Sequence, residues 1–282
     1  MTFRDNLSAA LEAHIDPALD VAAQLSTRIT QGGYPVGSWA AKMAQGDAVY
    51  KGKAVGAAPA TQALAGIPWS LASGIDHLTA LAASVKSSQT LGYSLSTIVR
   101  GSVEAYGRAH FLLENTDVDR LIRRWMATRL SSLKWAIKSA EDGADKARLQ
   151  QLRDSLKGDA TAFGFTPADL QLSFTALAVD VYNHVYGEDD GSLEYSRLSA
   201  VAHAENSGIH SLVVREQAHI APGLHASRIE ASDELLAEIA WGAFSVHSKI
   251  MTDAMQKFGE DPNEHREFGT SLIAVGSVLA EA

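Results

Sequence analysis

Apolar residues recur every three or four positions along most of this chain, and this period constrains the fold more than any other feature. Such spacing is typical of helices that bury one face. It predicts helices at 3–31, 61–88, 92–114, 117–141, 144–158, 167–186, 192–208, 231–258 and 263–281. In the interval 209–221, the β-branched run 209–215 and the segment 217–220 favour a hairpin instead. The sequence therefore predicts an all-α, multi-helix bundle with at most one small β-hairpin near 209–221.

The N-terminal part is expected to pack against the rest of the chain. Pro17 lies inside helix 3–31 and predicts a kink or a break there, with Asp16 as an N-cap. Residues 32–60 are rich in Gly, Ala and Pro, which predicts a long loop with one helical turn near 39–43. We expect a single helical domain, 1–282, in which helix 3–31 and loop 32–60 pack on a core bundle, 61–281.

Composition and missing motifs exclude several classes of protein. The chain has no cysteine, which excludes disulfides, thiolate zinc sites and cysteine nucleophiles. Its 24 Lys and Arg against 33 Asp and Glu give a formal net charge of -9, which disfavours a protein that coats nucleic acid. Phosphate-binding loops, serine-hydrolase elbows and the His-Glu-x-x-His zinc motif are absent from the sequence. No apolar run could span a membrane and no secretory signal is evident, so we expect a cytoplasmic protein without membrane contact.

Several histidines lie close together in the second half of the sequence: His203, His210, His219 and His225. Together with Glu205 or Glu216 they could form a zinc site. Their spacing matches no established ligand motif, however, so we expect neither a metal nor another cofactor.

The segment 192–208 carries the most suggestive polar pattern. In a helix, Tyr195, Ser199, His203 and Asn206 fall on one face. Such a face can line a cleft. Alternatively, its side chains hydrogen-bond to neighbouring helices and fix their packing. The sequence leaves both interpretations open.

Arg197 and His203 resemble the Arg-x(4–6)-His motif of HEPN-domain proteins. These proteins are helical bundles, and many are metal-independent ribonucleases of toxin, CRISPR or phage-defence systems. The phrase from Tyr195 to His203 is also similar to a Tyr-x-x-Leu-Ser-x-x-x-His helix in a group of bacterial helical proteins. That group carries an upstream Arg-x-x-x-Glu, which Arg100 and Glu104 match.

The resemblance implies a reaction in which the 2′-hydroxyl of RNA attacks the adjacent phosphate, leaving a cyclic phosphate and a 5′-hydroxyl. His203 would act as general acid or base, and Arg197 would stabilise the phosphate charge. Ser199 and Asn206 would orient the histidine or the substrate. In HEPN dimers two such motifs face one another, so the resemblance also implies a homodimer. This chain departs from the nuclease pattern at Leu198, where a polar residue commonly follows the arginine.

Arg100 and Glu104 are four residues apart and admit two interpretations. They could form a polar support near the cleft of Arg197 and His203. They could equally form an intrahelical ion pair that stabilises the helix by roughly 0.2–0.5 kcal/mol.

Helix 117–141 carries cations on one side and no acid between its first and last cation. These residues are Arg120, Arg123, Arg124, Lys134 and Lys138, with Arg129 opposite. A stripe of one sign could follow an RNA backbone. It could also be a solvated face that pairs with acids on neighbouring helices.

These observations favour a HEPN-like, metal-independent endoribonuclease or RNA-binding protein, of the kind found in toxin or phage-defence systems. The alternative is a non-catalytic helical interaction protein whose Tyr, Ser and His side chains are structural. The two hypotheses differ in whether Arg197 and His203 share an open cleft.

Overall fold

The computed structural model describes residues 2–86, 92–187, 190–202, 214–221, 224–230 and 232–281. Its α-helices in those ranges are α1 (Phe3–Gln31), α2 (Trp39–Ala44), α3 (Pro59–Val85), α4 (Gly92–Leu113), α5 (Val118–Ser139), α6 (Gly143–Ala162), α7 (Phe174–Tyr186), α8 (Asp190–Ala202), α9 (Asp233–Phe258) and α10 (Arg266–Ala280). Short 3-10 turns cover Gln45–Ala48 and Ala168–Leu170. The prediction of an all-α bundle is confirmed.

The strand pair lies later in the chain than expected. Strand β1 (Val214–Ala221) pairs antiparallel with strand β2 (Leu224–Glu230), and Gln217 lies opposite Ser227. The predicted pairing of 209–215 with 217–220 is wrong, because residues 214–220 belong to one strand. Pro222-Gly223, a turn-favouring sequence, separates the strands in the chain. Residues 209–213 lie outside the described residues.

The predicted helix 167–186 begins seven residues later than expected, at Phe174. The Thr166 amide donates to the Asp169 carboxylate over 2.8 Å, and this hydrogen bond closes only the turn Ala168–Leu170. The helix proper starts after Ser173, whose hydroxyl accepts from the Ala176 amide at 3.3 Å. Thr166 and Asp169 therefore close a 3-10 turn and not the first turn of α7.

Helix α1 runs unbroken from Phe3 to Gln31, so the predicted break at Pro17 does not occur. Its start is fixed by Thr2 and Asp5, whose side chains each accept from the other's backbone amide. Its end is fixed by Gly32, at a φ of 65° that favours glycine.

Helices α3 and α4 form the centre of the bundle. Helix α3 packs against α1 and α4, and α4 also packs against α7, α8 and α9. One face of α3 is fully buried along its length, which places Leu64, Ile67, Leu71 and Ile75 in the core. The buried apolar side chains of α1 and of α3 to α10 belong to one contiguous cluster.

The segment between α1 and α3 is anchored by two carboxylates. Asp47 accepts from the Ala60 amide at 2.6 Å and so caps α3. Asp159, on α6, accepts from the amides of Lys53, Ala54 and Val55 at 2.7–3.1 Å. The expected long loop is therefore present, with helix α2 in place of the predicted turn, and it is held by specific contacts.

Within the described ranges, no helix is both long enough and apolar enough to cross a membrane.

Candidate functional site

Tyr195 lies at a contact between α8 and α4. Its hydroxyl donates to Glu104 over 2.9 Å, and the same carboxylate oxygen accepts from Arg100 Nε at 2.8 Å. The Arg100 guanidinium carbon lies 5.6 Å from the centre of the Tyr195 ring. Burial, followed by the Glu104 contact, raises the pKa of Tyr195. The structure thus brings together these three predicted site residues.

Arg197 lies on a different side of α8. It forms a two-pronged ion pair with Glu238 of α9, with Nη2 at 3.2 Å from Oε2. Positions two apart on a helix are separated by about 200° around its axis, so Tyr195 and Arg197 diverge. The structure does not place Arg197 with Arg100 and Glu104.

Of the remaining members of the predicted face, only Ser199 belongs to the described residues. Ser199 is half-buried on α8. His203 and Asn206 lie outside the described residues, as does His210. Their catalytic and supporting roles stay predictions.

The N-terminal half of the basic stripe on α5 is paired with acids. Arg123 binds Asp119, one turn earlier, and Asp169, at 3.0 Å. Arg124 binds Glu114 at 3.0 Å and lies over the Phe111 ring, 4.4 Å from its centre. For these two arginines, the alternative of a face paired with neighbouring acids describes the structure.

The other predicted cations of the stripe are exposed: Arg120, Lys134 and Lys138. Arg120 shares its shallow depression with Asp117 and Asp119. Among the described residues, no carboxylate lies within 4 Å of the Lys134 or Lys138 ammonium group. Lys138 instead lies 5.1 Å from the centre of the exposed Trp135 ring.

A groove of about 370 Å³ lies between α3, α4 and the opposite side of α5. Trp69, which is 73% exposed, forms one wall. Arg108 and Arg129 line the groove, each over an aromatic ring: Arg108 at 4.5 Å from Phe174 and Arg129 at 5.6 Å from Trp125. No carboxylate among the described residues lines the groove, and hydroxyl and amide side chains contribute to it: Gln62, Ser70, Ser73, Thr128 and Ser132.

This groove continues onto the exposed ridge of α5. Ser132 belongs to the groove, and Trp135 lies one turn further along the same side of the helix. We name Trp69, Arg108, Arg129 and Trp135 the aromatic–basic face. Of these, the sequence pattern indicated only that Arg129 lies opposite the basic stripe, because the four side chains face one surface only once α3, α4 and α5 are packed together.

A buried polar chain crosses the core at another place. The Tyr106 hydroxyl lies 2.6 Å from His247 Nδ1, and His247 Nε2 lies 2.7 Å from His14 Nε2. His14 Nδ1 in turn lies 2.7 Å from the Ser271 hydroxyl. Burial lowers the pKa of His14 to about 4 and that of His247 well below its ordinary value. Both imidazoles are therefore neutral at physiological pH.

One arrangement of protons satisfies every member of this chain. Tyr106 donates to His247, which donates through Nε2 to His14, which donates through Nδ1 to Ser271. The Ser271 hydroxyl then donates to the Phe268 carbonyl over 3.0 Å. The reverse direction leaves the Tyr106 proton without a described acceptor. Every member is hydrogen-bonded, and Tyr106, His14 and His247 are buried, which favours a structural role.

Comparison with protein-family models, with curated proteins and with solved structures finds no match for this chain. The HEPN resemblance therefore stays a prediction. Among the described residues, no three His, Asp or Glu side chains are grouped so that they could hold a metal ion. The candidate site with the clearest geometry is the aromatic–basic face.

Proposed function

We propose that the protein binds single-stranded RNA along the aromatic–basic face. The observation that carries this proposal is the carboxylate-free groove, in which the exposed Trp69 stands beside Arg108 and Arg129. Bases of any sequence stack on exposed aromatic rings, and cations beside the rings attract the backbone. This combination is what proteins use to hold single strands.

The charge distribution supports the same proposal. The protein carries a net charge of -9, and Arg123, Arg124 and Arg197 are paired with carboxylates. Arg108 and Arg129 have no carboxylate partner among the described lining residues of the groove. On an acidic protein, they would give the aromatic–basic face a local positive potential that attracts a polyanion. Binding would release counterions and weaken with added salt.

The test measures the affinity of a labelled oligouridylate by fluorescence anisotropy at several salt concentrations. Trp69→Ala should weaken binding by about tenfold or more, since one base–aromatic stack is worth roughly 1–3 kcal/mol. Arg129→Gln should weaken binding and lower the salt dependence. Trp241→Ala removes an exposed tryptophan from α9, away from the groove, and should leave binding unchanged.

Absence of binding at low salt would overturn the proposal. Equal losses in the Trp69 and Trp241 variants would overturn it as well, since binding would then not depend on this face. Far-UV circular dichroism of each variant checks that the helices are intact.

RNA cleavage is the second candidate, and the contact of Tyr195 with Glu104 and Arg100 favours it. These side chains form a partly buried polar cluster against the helix that carries Arg197. In the HEPN mechanism, Arg197 would leave Glu238 to hold the phosphate, His203 would transfer the proton, and a homodimer would pair two such motifs.

Incubation of the wild type and of His203→Ala with total RNA tests this candidate, with light scattering to test for a homodimer. If this candidate is right, His203→Ala should abolish RNA cleavage and should leave the thermal stability of the protein nearly unchanged. The non-catalytic alternative predicts no cleavage by the wild type and a destabilised His203→Ala variant. Removal of a structural, hydrogen-bonded histidine would leave its partners unsatisfied, at a cost of about 1–3 kcal/mol.

A further inference from the structure

A second cleft, of about 600 Å³, lies on the other side of α5. Helix α6 and the segment 165–172 form its remaining walls. Apolar side chains contribute much of the lining: Leu130, Phe165, Pro167, Leu170 and Leu172. This volume is in the range that holds small organic ligands in proteins.

The polar part of this cleft is cationic. Lys134 projects from α5, and Arg153 and Lys157 lie one turn apart on α6. Among the residues that the structure describes, no carboxylate contributes to the lining. In an acidic protein, a concave surface with three cations and no acid selects for an anion.

Arg153 adds an independent observation. Its side chain is 29% exposed, and its Nε is buried without a hydrogen-bond acceptor among the described residues. The Asp154 carboxylate lies 4.0 Å from Nε, too far for a hydrogen bond. A buried donor without an acceptor costs free energy, and a small shift of the Arg153 side chain on binding would let a ligand oxygen in the cleft remove that cost.

From this geometry we infer that the cleft binds a small phosphate monoester whose organic part is apolar. The three cations match the charge of a monoester, about -1.5 to -2 at neutral pH, better than the single charge of a carboxylate. The apolar walls would cover a ring or a hydrocarbon chain. This inference does not depend on RNA binding, since Arg153 and Lys157 lie outside the aromatic–basic face.

Isothermal titration calorimetry with 1-naphthyl phosphate tests the inference on the full chain. Inorganic phosphate, 1-naphthol and 1-naphthoic acid serve as comparisons, since each lacks the ring, the charge or the second charge. We expect 1-naphthyl phosphate to bind at least about tenfold more tightly than any of them, because only this compound uses both parts of the cleft.

Two variants locate the binding. Arg153→Gln and Lys157→Gln should each weaken the affinity for 1-naphthyl phosphate by about fivefold or more. Arg148→Gln removes an exposed arginine of the same helix, outside the cleft, and should leave the affinity unchanged. Lys157 is exposed, so its variant keeps the test valid if Arg153→Gln fails to fold.

Three results would overturn the inference: no heat of binding for 1-naphthyl phosphate, equal affinity for 1-naphthol, or equal affinity in the Arg153 and Lys157 variants. Tighter binding of 1-naphthoic acid would also contradict it, since the cleft would then select a carboxylate.

Discussion

His14 and His247 are deeply buried within the polar chain, with exposures of 1% and 0%. Aromatic rings surround them: Phe244 lies 5.6 Å from His14, and Phe268 lies 5.2 Å from it, between ring centres. An imidazolium here would have no carboxylate to pair with in the hydrogen-bonded chain. The core therefore tolerates these residues only in the neutral form.

We predict that this burial makes stability depend on pH. The pKa of His14 is lowered to about 4, and burial likewise lowers that of His110 to about 4. In the unfolded chain both groups titrate near 6.5, so the unfolded state binds more protons below that pH. The free energy of unfolding should fall as the pH drops from about 6.5 towards 4, by up to about 1.4 kcal/mol per pH unit for each group.

Urea unfolding at about pH 7 and about pH 5 measures this slope. His14→Gln should be less stable than the wild type at pH 7 but should show a shallower pH slope. His77→Gln, which changes a histidine of α3 outside the buried chain, should keep the wild-type slope. A wild-type free energy that stays constant across this range would contradict the prediction.

At the scale of elements, the close approach of α3 and α4 depends on Gly74. A Cβ atom at this position would lie 2.4 Å from Cζ of Tyr106, well inside van der Waals contact. Tyr106 has no room to yield, since it is fully buried and its hydroxyl contacts His247. The glycine therefore sets the distance between the two central helices.

We predict that Gly74→Ala destabilises the protein by about 1–3 kcal/mol, because it overpacks this contact. Gly158 offers a matched control in the middle of α6, where an added Cβ meets nothing within 4 Å. Gly158→Ala should stabilise the protein by up to about 1 kcal/mol, through helix propensity alone. Thermal denaturation measures both, and a stabilising Gly74→Ala would show that the helices can separate at little cost.

The helices were predictable from the sequence because each one buries a face, and burial leaves a period that local reading can detect. The ends of the helices were less predictable: the helix expected at 167–186 begins only at Phe174, after a 3-10 turn over Ala168–Leu170. The motif resemblance singled out Tyr195, Arg100 and Glu104 but did not predict the hydrogen bond from Tyr195 to Glu104. The groove at Trp69 could not be predicted, since it exists only where three helices meet, and no local pattern reports which helices are neighbours.

At the scale of the whole molecule, contacts between distant parts of the chain hold the bundle together. The buried polar chain joins α1, α4, α9 and α10. Arg28 of α1 binds the buried Glu260, which follows α9. Asp159 of α6 holds the loop at 52–56, where Gly52 and Gly56 pair with each other through both backbone amides. These contacts join helices that lie far apart in the sequence, from α1 to α10.

We therefore predict that the chain unfolds in one cooperative transition, with the Asp159 contact coupled to it. Asp159→Asn replaces one of the two accepting oxygens by an NH2 donor, so either the Lys53 amide or the Ala54 and Val55 amides lose their acceptor, which should cost about 1.5–3 kcal/mol. The midpoint should fall by a few degrees without splitting the transition. Asp154→Asn, an exposed change on the same helix, should shift the midpoint by much less.

Differential scanning calorimetry compares the calorimetric and van't Hoff enthalpies, which agree for a two-state transition. Two resolved transitions, or an Asp159→Asn variant that loses only a separate low-temperature step, would show that the loop and α6 form a unit apart from the rest of the bundle.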